Sequence, residues 1–560
     1  MRKKLALLLA AMMVFTIFAA CAAPADDPGS DPVNEPQQGV ETPAPSEEPA
    51  VVEEPVTNCT VSEDSDVVIL HYSDVSTLFP ADQTTIAEAF PSSLGYDTLL
   101  KLDADRNEVW MLGEGCDVSG DNLTYTFKLR QGITFSDGEA WNAEAMKANL
   151  DLWIGNSPYA LKGVSTWSLV DSVEVVDEYT CALHLKETDG ALLTKMANGG
   201  YMVSPKLIEA GPDVWGTTQA GTGQYVMKEF RFGESMTFEL NRDWWGYDAE
   251  ICGGTPIVDS NVGFNSIVVK PVSEEATRIA MLMSGEADII MSVSARNTET
   301  IEATGTNKVI NRISTMIGYL NFNLNKTPLQ DVRVRHAIAY AIDVDKLNEL
   351  VYGGANVVAR SFSPDSVNYF VPQPLYDYDL EKAKSLMAEA GYSDGLNMIL
   401  WSENDNTDTA RADFIRQQLS EIGINVEVKC MDGASLTAGF DATGPEGWEW
   451  DLYIRGYSTS SGDACHALGR FASDKFMPVG ANYPCYSNPE FDKYVKAGEK
   501  TIVPEERLAA YTEAQRIIWE DLPAYPTLIS TSRAGVSNKV EGVGFKNNGN
   551  VDITQAVYVG

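Results

Sequence analysis

Histidine is scarce in this chain, with four residues among 560, and the common catalytic motifs are missing. There is no GxSxG motif of a serine hydrolase, no HExxH motif of a metalloprotease and no Walker loop of a nucleotide hydrolase. So few imidazoles leave little room for acid–base catalysis by histidine. Carboxylate pairs remain open as an alternative, because the chain has 80 acidic residues. We expect a protein that is not an enzyme and that carries no cofactor.

Basic residues are also few. Lys and Arg number 41 against 80 Asp and Glu, which gives a formal net charge of −39. A protein of this charge repels nucleic acid and anionic lipid, and its charge keeps an exported protein soluble. We therefore expect no nucleic acid partner.

The chain starts with Arg2, Lys3 and Lys4, followed by an apolar stretch from Leu5 to Phe18. Positive residues before a short apolar stretch are typical of a signal peptide. The stretch is too short to span a bilayer comfortably. We expect residues 1–20 to lie outside the fold.

Cys21 follows two small residues, Ala19 and Ala20, at the end of this stretch. The pattern is similar to a bacterial lipobox, which predicts lipidation of Cys21 as the mature amino terminus. Ordinary cleavage nearby, with Cys21 an incidental thiol, is the alternative. Two acyl chains are enough for stable membrane attachment. We expect a protein held at the outer face of the bacterial cytoplasmic membrane, extracytoplasmic or periplasmic, that contacts the membrane through its lipid anchor only.

Residues 21–61 are rich in Pro, Asp, Glu, Ser and Thr, as in the run ETPAPSEEPAVVEEP. Such a segment has too few apolar residues to form a core, so it predicts a disordered tether.

Seven cysteines remain when Cys21 is set aside, so at least one is unpaired within the chain. Their spacing contains no CxxC pair and no regular framework, and it leaves the connectivity open. They are Cys59, Cys116, Cys181, Cys252, Cys430, Cys465 and Cys485.

The remaining chain repeats one pattern, an amphipathic helix ended by Gly and followed by an extended apolar segment. In EEATRIAMLMSGEADII, one helical face carries Ala276, Ile279, Ala280 and Met283, Gly285 ends the helix, and residues 287–290 form a strand. This pattern predicts an α/β fold, and some 500 residues exceed what one core usually holds.

A second unit is clearer. Residues 398–400 form a strand, a helix presents Ala412, Ile415, Leu419 and Ile422, Gly423 ends it, and a strand with Ile424, Val426 and Val428 follows. Two more helices are predicted at residues 331–342 and 380–390, and Asn142 is a predicted helix cap.

Several segments together resemble family 5 extracellular solute-binding proteins of ABC importers, which include oligopeptide-, dipeptide-, glutathione- and nickel-binding components. Each segment alone is weak, but their order is that of the family. The segments are DVSTLFP, GYDTLLKLD, YTFKLRQGITFSDGEAWNAEA, GTGQY, NRDWW, SGEADI, DVRVRHAIAYAID, YDLEKAKSLMAEAGY, EIGINVEV, NYPCYSNPEFDKYV and LPAYP.

This resemblance implies a two-lobed periplasmic-binding-protein-like clamp with an extra domain and a ligand cleft between the lobes. Lobe I would take residues 62–97, 207–310 and 528–560, the extra domain 98–206, and lobe II 311–527. The implied function is capture of a small solute, most simply a peptide, by a monomer that delivers it to an ABC permease and its ATPase. Nickel or another metal chelate is an alternative ligand, and a surface receptor for signalling is an alternative role.

The stretch RGYSTSSGDACHALGRF is where peptide-binding relatives carry an aromatic residue and, three residues later, an Asp for the peptide ammonium. Tyr457 matches the aromatic residue, but Ser460 stands at the position of the Asp. Asp463 would replace it only with a rearranged loop. His466 lies near a histidine of nickel-type relatives, although a loop histidine bonded to backbone is the simpler interpretation.

Four further ligand-binding candidates follow from the resemblance and from side-chain chemistry. Tyr96 and Trp401 are aromatic residues for an apolar pocket wall. Asn323 suits a hydrogen bond to ligand or, equally, to backbone. Arg360, like Arg455, suits a ligand carboxylate or an internal salt bridge. No spacing of Cys, His and Asp predicts a metal site on the protein.

Overall fold

Apolar residues in alternation and at helical spacing produce a mixed α/β chain, of which the computed structural model describes residues 58–80, 83, 88–103, 106–154, 167–459, 461–546 and 549–560. The predicted signal peptide, Cys21 and the tether as far as residue 57 lie outside the described residues. Among the described residues, no helix has the length and apolar character needed to cross a bilayer.

The amino-terminal elements build a small antiparallel sheet of order β4-β5-β7-β6. Helix α2 packs on this sheet, and the side chain of Asn142 accepts a hydrogen bond from Ala145 N at 2.9 Å, which confirms the predicted cap. The elements are β1 (Asp66–His71), α1 (Ala89–Gly95), β2 (Leu100–Leu102), β3 (Glu108–Trp110), β4 (Gly113–Val118), β5 (Thr124–Leu129), α2 (Ala143–Asp151), β6 (Val170–Asp177), β7 (Thr180–Leu185), α3 (Leu192–Gly199), α4 (Pro205–Ala210) and α5 (Pro212–Trp215).

The core beside this small sheet extends past the predicted extra domain. It takes in Trp244, Trp245 and Tyr247, which the predicted boundaries assign to lobe I. The Trp245 indole donates to Asp97 and to Thr222 O, and the Arg130 guanidinium lies 5.6 Å from the centre of the Trp245 ring, so the NRDWW segment contacts the small-sheet region. The division of the chain at residues 98, 207, 311 and 528 stays a prediction.

The next elements confirm the first predicted helix–strand unit but change its buried face. Gly285 ends α6 with φ 80°, in the left-handed region that favours glycine. Ala276, Ala280 and Met283, predicted to be buried, are exposed. The elements are β8 (Tyr225–Arg231), β9 (Ser235–Leu240), β10 (Ser266–Pro271), α6 (Glu275–Ser284), β11 (Ile289–Met291) and α7 (Thr298–Glu302).

Arg278 explains the difference in α6. Its guanidinium is buried and donates to four backbone carbonyls, those of Val272, Ser273, Met291 and Ser292. These bonds pull the polar side chain inward, together with Ile279 and Leu282. Hydrophobic periodicity cannot detect an arginine that is saturated by carbonyls.

The carboxyl-terminal half confirms the second predicted unit, because β14 and β15 pair in parallel around α12. Ala412, Ile415 and Leu419 are buried as predicted. The elements are β12 (Asn307–Phe322), α8 (Thr327–Gln330), α9 (Val332–Ala341), α10 (Val344–Tyr352), β13 (Val357–Val358), α11 (Leu380–Glu389), β14 (Leu396–Glu403), α12 (Asn406–Ser420), β15 (Ile424–Met431), α13 (Gly433–Gly447, interrupted at Gly444), β16 (Leu452–Ser458), α14 (Ala464–Gly469), α15 (Pro489–Glu499), α16 (Pro504–Asp521), β17 (Ala524–Ser537), β18 (Val540–Glu541), β19 (Gly544–Phe545), β20 (Val551–Asp552) and β21 (Val557–Tyr558).

One eleven-stranded sheet joins both parts of the chain, in the order β15-β14-β16-β12-β17-β11-β1-β10-β9-β8, with β13 beside β17. Its two long central strands, β12 and β17, pair antiparallel along most of their length and connect the two parts of the sheet. Their register shifts twice, between Ile313 and Ile317 and again between Gly318 and Tyr319, so the ladder is irregular over residues 313–319 of β12. Separate apolar clusters lie on the two sides, one around β1, β9 and β10 and one around β12, β14 and β16.

Candidate functional site

A pocket of about 250 Å³ lies where the register of β12 and β17 shifts. Residues that directly follow the parallel strands β1 and β11, Tyr72 and Ser292, form part of its wall. The carboxyl ends of parallel strands are where ligands bind in open α/β sheets. We call this the junction pocket, lined by Tyr72, Met291, Ser292, Val293, Ser314, Thr315, Met316, Ser458, Ser530, Thr531, Ser532, Arg533, Phe545, Gly549, Asn550 and Val551.

Half of the sixteen residues that line the junction pocket carry hydroxyl groups. The side-chain oxygens of Thr315 on β12 and Ser458 on β16 are hydrogen-bonded at 2.9 Å. Among the described lining residues, Arg533 is the one charged side chain. Its guanidinium donates to Thr531 O at 3.1 Å and to Ala355 O, and burial lowers its pKa. An arginine stays protonated in spite of such a shift, so the pocket wall carries a positive charge.

Directly beside Ser458, the predicted residues Tyr457 and His466 meet at Arg470. The Arg470 guanidinium stacks 4.5 Å from the centre of the Tyr457 ring and donates to Ser458 O at 3.0 Å. Burial lowers the pKa of His466 to about 3, and Arg470 and Lys195 add to the shift, so this imidazole is neutral at physiological pH. The Tyr457 hydroxyl and His466 Nδ1 are buried without a hydrogen-bond partner among the described residues.

Asp463 lies in the same segment, but its carboxylate has internal partners. It caps α14 by accepting from Cys465 N at 2.9 Å, and it pairs with Arg507 at 2.9 Å. Its side chain has no exposed surface. Asp463 is not among the residues that line the junction pocket, and its contact with a peptide ammonium stays a prediction. Ser460 lies outside the described residues.

The other predicted ligand contacts are spread over the molecule. Asn323 is buried and donates to Trp450 O at 2.9 Å, while its Oδ1 accepts from Asn325 N, so its amide is used by backbone. Arg360 is exposed. None of Tyr96, Asn323, Arg360 and Trp401 lines the junction pocket, and their roles at a ligand stay predictions.

Trp401 and Tyr96 belong to separate aromatic clusters. Trp401 packs 5.5 Å from Phe440, and its indole nitrogen is buried without a hydrogen-bond partner among the described residues. Tyr96 packs in a cluster with Phe79 and Trp215. Arg455, by contrast, forms an ion pair with Glu403 at 2.7 Å, the salt-bridge alternative of the sequence.

The sequence interpretation missed most of the junction pocket. Residues 314–316 and 530–533 supply a large part of its wall, and they lie on strands that the sequence marks only as apolar. The run STSR at 530–533, which interrupts an apolar strand with hydroxyls and a cation, was the available signal. No comparable pattern in the sequence pointed to Arg470 as a residue of the site.

Within the described part of the chain, Cys116, Cys181, Cys252, Cys430, Cys465 and Cys485 are free thiols. No group of three or more His, Cys, Asp or Glu side chains converges there in a way that could hold a metal ion.

Comparison with known proteins relates most of the chain to one family. The model of the bacterial extracellular solute-binding proteins, family 5 Middle, matches residues 108–477. The glutathione-binding protein GsiB of Salmonella typhi is 32% identical over 482 residues, which cover 85% of this chain and 91% of that protein.

Two solved structures share the fold. HbpA2 from Haemophilus parasuis matches with a TM-score of 0.77 and 22% identity, over 88% of this chain and 99% of that one. NikA from Brucella suis, in complex with Fe(III)-EDTA, matches with a TM-score of 0.76 and 22% identity, over 88% and 100%. The predicted fold class, an α/β binding-protein fold with several lobes, is confirmed.

Proposed function

The chain belongs to the family 5 bacterial extracellular solute-binding proteins, and we propose that its solute is a short anionic peptide of the glutathione class. It is a solute-binding component of ABC import, a family whose members act outside the cytoplasm with a permease and its ATPase. The name of the relative at 32% identity, glutathione-binding protein, supports a peptide of this size and charge.

The observation that carries this proposal is the chemistry of the junction pocket. Its volume of about 250 Å³ lies below the range of about 300–1,000 Å³ of typical small-molecule pockets, which favours a short ligand over a long peptide. Its hydroxyls suit peptide amides and its Arg533 suits a carboxylate. Since no Asp or Glu is among the described lining residues, the pocket favours an anionic solute over a cationic one.

The position of the pocket supports closure around the solute. It lies between the two halves of the large sheet, which are connected through β12 and β17. A rotation of one half against the other at residues 314–316 and 530 would open and close the pocket, as in hinge closure of binding proteins.

Calorimetric titration of the purified soluble domain with glutathione, a dipeptide and a nickel–histidine chelate tests the proposal, in parallel with mass spectrometry of any solute that co-purifies. We expect glutathione to bind with micromolar or tighter affinity and the nickel chelate not to bind. Binding of the chelate together with stoichiometric metal in the purified protein would overturn the proposal and favour metal-chelate import. If only the dipeptide binds, peptides of the glutathione class would be excluded as the solute.

We propose further that the protein is a monomer without enzymatic activity, anchored through a lipidated Cys21 at the outer face of the cytoplasmic membrane. The small residues before Cys21 support the anchor. Labelling cells with radioactive palmitate should mark the wild-type chain and not Cys21→Ser. A soluble, unlabelled wild-type chain would contradict the anchor. Loss of solute uptake on deletion of the gene would favour import over the alternative of a signalling receptor.

A further inference from the structure

Most buried arginines of the described residues have guanidinium groups engaged by several acceptors, and the exception is Arg411, whose Nε has no hydrogen-bond partner among those residues. Arg278 and Arg335 each donate to four backbone carbonyls. Arg507 pairs with the buried carboxylate of Asp463 and also donates to Gly498 O at 3.0 Å. This is the expected pattern, because an unpaired buried charge is costly.

Arg470, which is half-buried, also departs from this pattern. It makes two hydrogen bonds, to Ser458 O at 3.0 Å and to His466 O at 3.4 Å, the second at the limit of a useful distance. No Asp or Glu of the described residues forms an ion pair with it, in a chain with twice as many acids as bases. Its other neighbours are the rings of Tyr457 and Tyr319, which carry no charge.

The groups around Arg470 share this incomplete bonding. The Tyr457 hydroxyl and His466 Nδ1 are both buried without a hydrogen-bond partner among the described residues. A neutral His466 adds no second positive charge. Two buried polar atoms without a hydrogen-bond partner and one cation without a counter-charge among the described residues therefore lie within one short segment, which is unusual inside a protein.

We infer that Arg470 forms a second anion-binding position, next to the junction pocket, and that it receives a carboxylate of the solute. The inference rests on the proposed function and deepens it. Ser458 lines the junction pocket, and the Arg470 guanidinium bonds to the backbone of that same residue. A planar guanidinium binds a carboxylate through two parallel hydrogen bonds, and the Tyr457 hydroxyl, which has no hydrogen-bond partner among the described residues, is available for a third.

The two arginines, Arg533 and Arg470, are therefore associated with different parts of the large sheet. Arg533 lies on the stretch of β17 that pairs with the first half of β12, and Arg470 follows β16, which pairs with the second half. A solute with carboxylates at both ends would contact both, and would hold the two halves of the sheet together. The solute class is therefore a dicarboxylate peptide, and a peptide with a single carboxylate should bind more weakly.

The test is calorimetric titration with glutathione and with two analogues, each with one of the two carboxylates converted to an amide. For the wild-type chain, we expect at least one amide to bind tenfold or more weakly than glutathione, which corresponds to about 1.4 kcal/mol. Arg470→Gln should lose a similar factor for glutathione and should no longer distinguish glutathione from that amide. Arg470→Lys keeps the charge without the planar fork, so it should fall between the two.

Arg516→Gln is the matched control, because Arg516 is an exposed arginine of α16 paired with Glu513 and Glu520. It should bind glutathione as the wild type does. Equal affinity of wild type and Arg470→Gln for glutathione, within twofold, would overturn the inference and leave the proposed function standing. If Arg470→Gln does not fold, as judged by its thermal transition, equal binding of glutathione and both amides by the wild type would overturn it instead. A wild type that does not bind glutathione at all would reject the proposed function and the inference with it.

Discussion

Arg507 and Arg470 lie in neighbouring regions of the same half of the molecule and differ in what surrounds them. Arg507, on α16, is 3% exposed and faces a carboxylate that is itself a helix cap. Arg470, directly after α14, faces two tyrosine rings and two carbonyls. The charge of Arg507 is balanced by a buried carboxylate, whereas that of Arg470 has no counter-charge among the described residues. In a binding protein this difference separates scaffold from site, because an unbalanced charge costs stability unless a solute or water compensates it.

The same comparison sorts the residues that the sequence singled out. Asn323 and Asp463 resemble Arg507, since the amide of Asn323 is engaged by backbone and the charge of Asp463 is balanced by an ion pair, although Asp463 Oδ2 has no hydrogen-bond partner among the described residues. Tyr457 and His466 resemble Arg470, since each keeps a buried polar atom without a partner among the described residues. Substitutions in the first group should change stability, and substitutions in the second should change affinity.

The largest effect is expected from Asp463→Asn. The amide can still cap α14, but it leaves the buried charge of Arg507 without a counter-charge, which costs about 3–5 kcal/mol. Urea unfolding of the soluble domain measures this loss. Asp117→Asn is the control, because Asp117 forms an exposed pair with Lys128 at 3.7 Å, and such surface pairs contribute little.

Adding Arg507→Met to Asp463→Asn sharpens the test. Removing both charges avoids the unpaired cation, so the double variant should recover part of the loss. If Asp463→Asn were as stable as the wild type, the contrast between a saturated and an unsaturated arginine would lose its basis.

The second effect concerns pH. Burial raises the pKa of Glu499 to about 7 from 4.5, opposed by Lys195 and assisted by Asp189. Since the folded pKa lies above the unfolded one, the folded state holds more protons between these values, and stability falls as pH rises from about 4.5 to about 7. Glu499→Gln should remove this fall, so the variant should be more stable than the wild type at pH 8 by up to about 3 kcal/mol.

Thermal or urea unfolding at several pH values checks this expectation, with equal stability of the two chains expected near pH 4. Glu490→Gln, an exposed change on the same helix, should leave the pH dependence unaltered. A wild type whose stability does not decrease over this pH window would contradict the raised pKa of Glu499.

Sequence patterns predicted the elements better than the bonding of the polar residues. The spacing of Ala412, Ile415 and Leu419 predicted α12, and Gly285 predicted the end of α6, because periodicity and left-handed glycine are local properties. The buried face of α6 was wrong because the carbonyl partners of Arg278 include residues that follow the helix in another strand.

The order of the family-like segments pointed to residues 457–466 as a ligand-binding stretch. It did not show that Asp463 forms a buried ion pair whereas the Tyr457 hydroxyl has no partner among the described residues. That distinction depends on Arg507, which is 44 residues from Asp463 in sequence. The pocket wall depends on a contact between Thr315 and Ser458, which are 143 residues apart. Pairings over such distances are set by the register of a large sheet, and composition or spacing within one segment contains no information about them.

The third effect is expected at Asn323. Asn323→Ala leaves Trp450 O and Asn325 N without their side-chain partner, which costs about 1–3 kcal/mol for buried groups. Affinity for glutathione should stay unchanged, because the amide is already used. Unfolding and titration of the same sample measure both quantities, and Asn425→Ala, in an exposed pair with Asn397, is the control for stability. If Asn323→Ala loses affinity for glutathione while its stability is unchanged, Asn323 would be a ligand-binding residue like Tyr457 and not a structural one.

Ser458→Ala is expected to have the smallest effect. It separates the contribution of the Ser458 carbonyl at the junction pocket from that of the Ser458 hydroxyl. The substitution keeps the carbonyl that accepts from Arg470 and removes the hydroxyl that bonds to Thr315 at 2.9 Å. In the free protein water can replace a half-buried hydroxyl, whereas in the closed complex a lost hydrogen bond costs about 0.5–1.5 kcal/mol, a two- to tenfold loss of affinity. Ser487→Ala, an exposed change outside the pocket, should bind as the wild type does. If Ser458→Ala binds glutathione unchanged while Arg470→Gln does not, the solute contacts the Arg470 region without entering the junction pocket, and the two cations do not share one ligand.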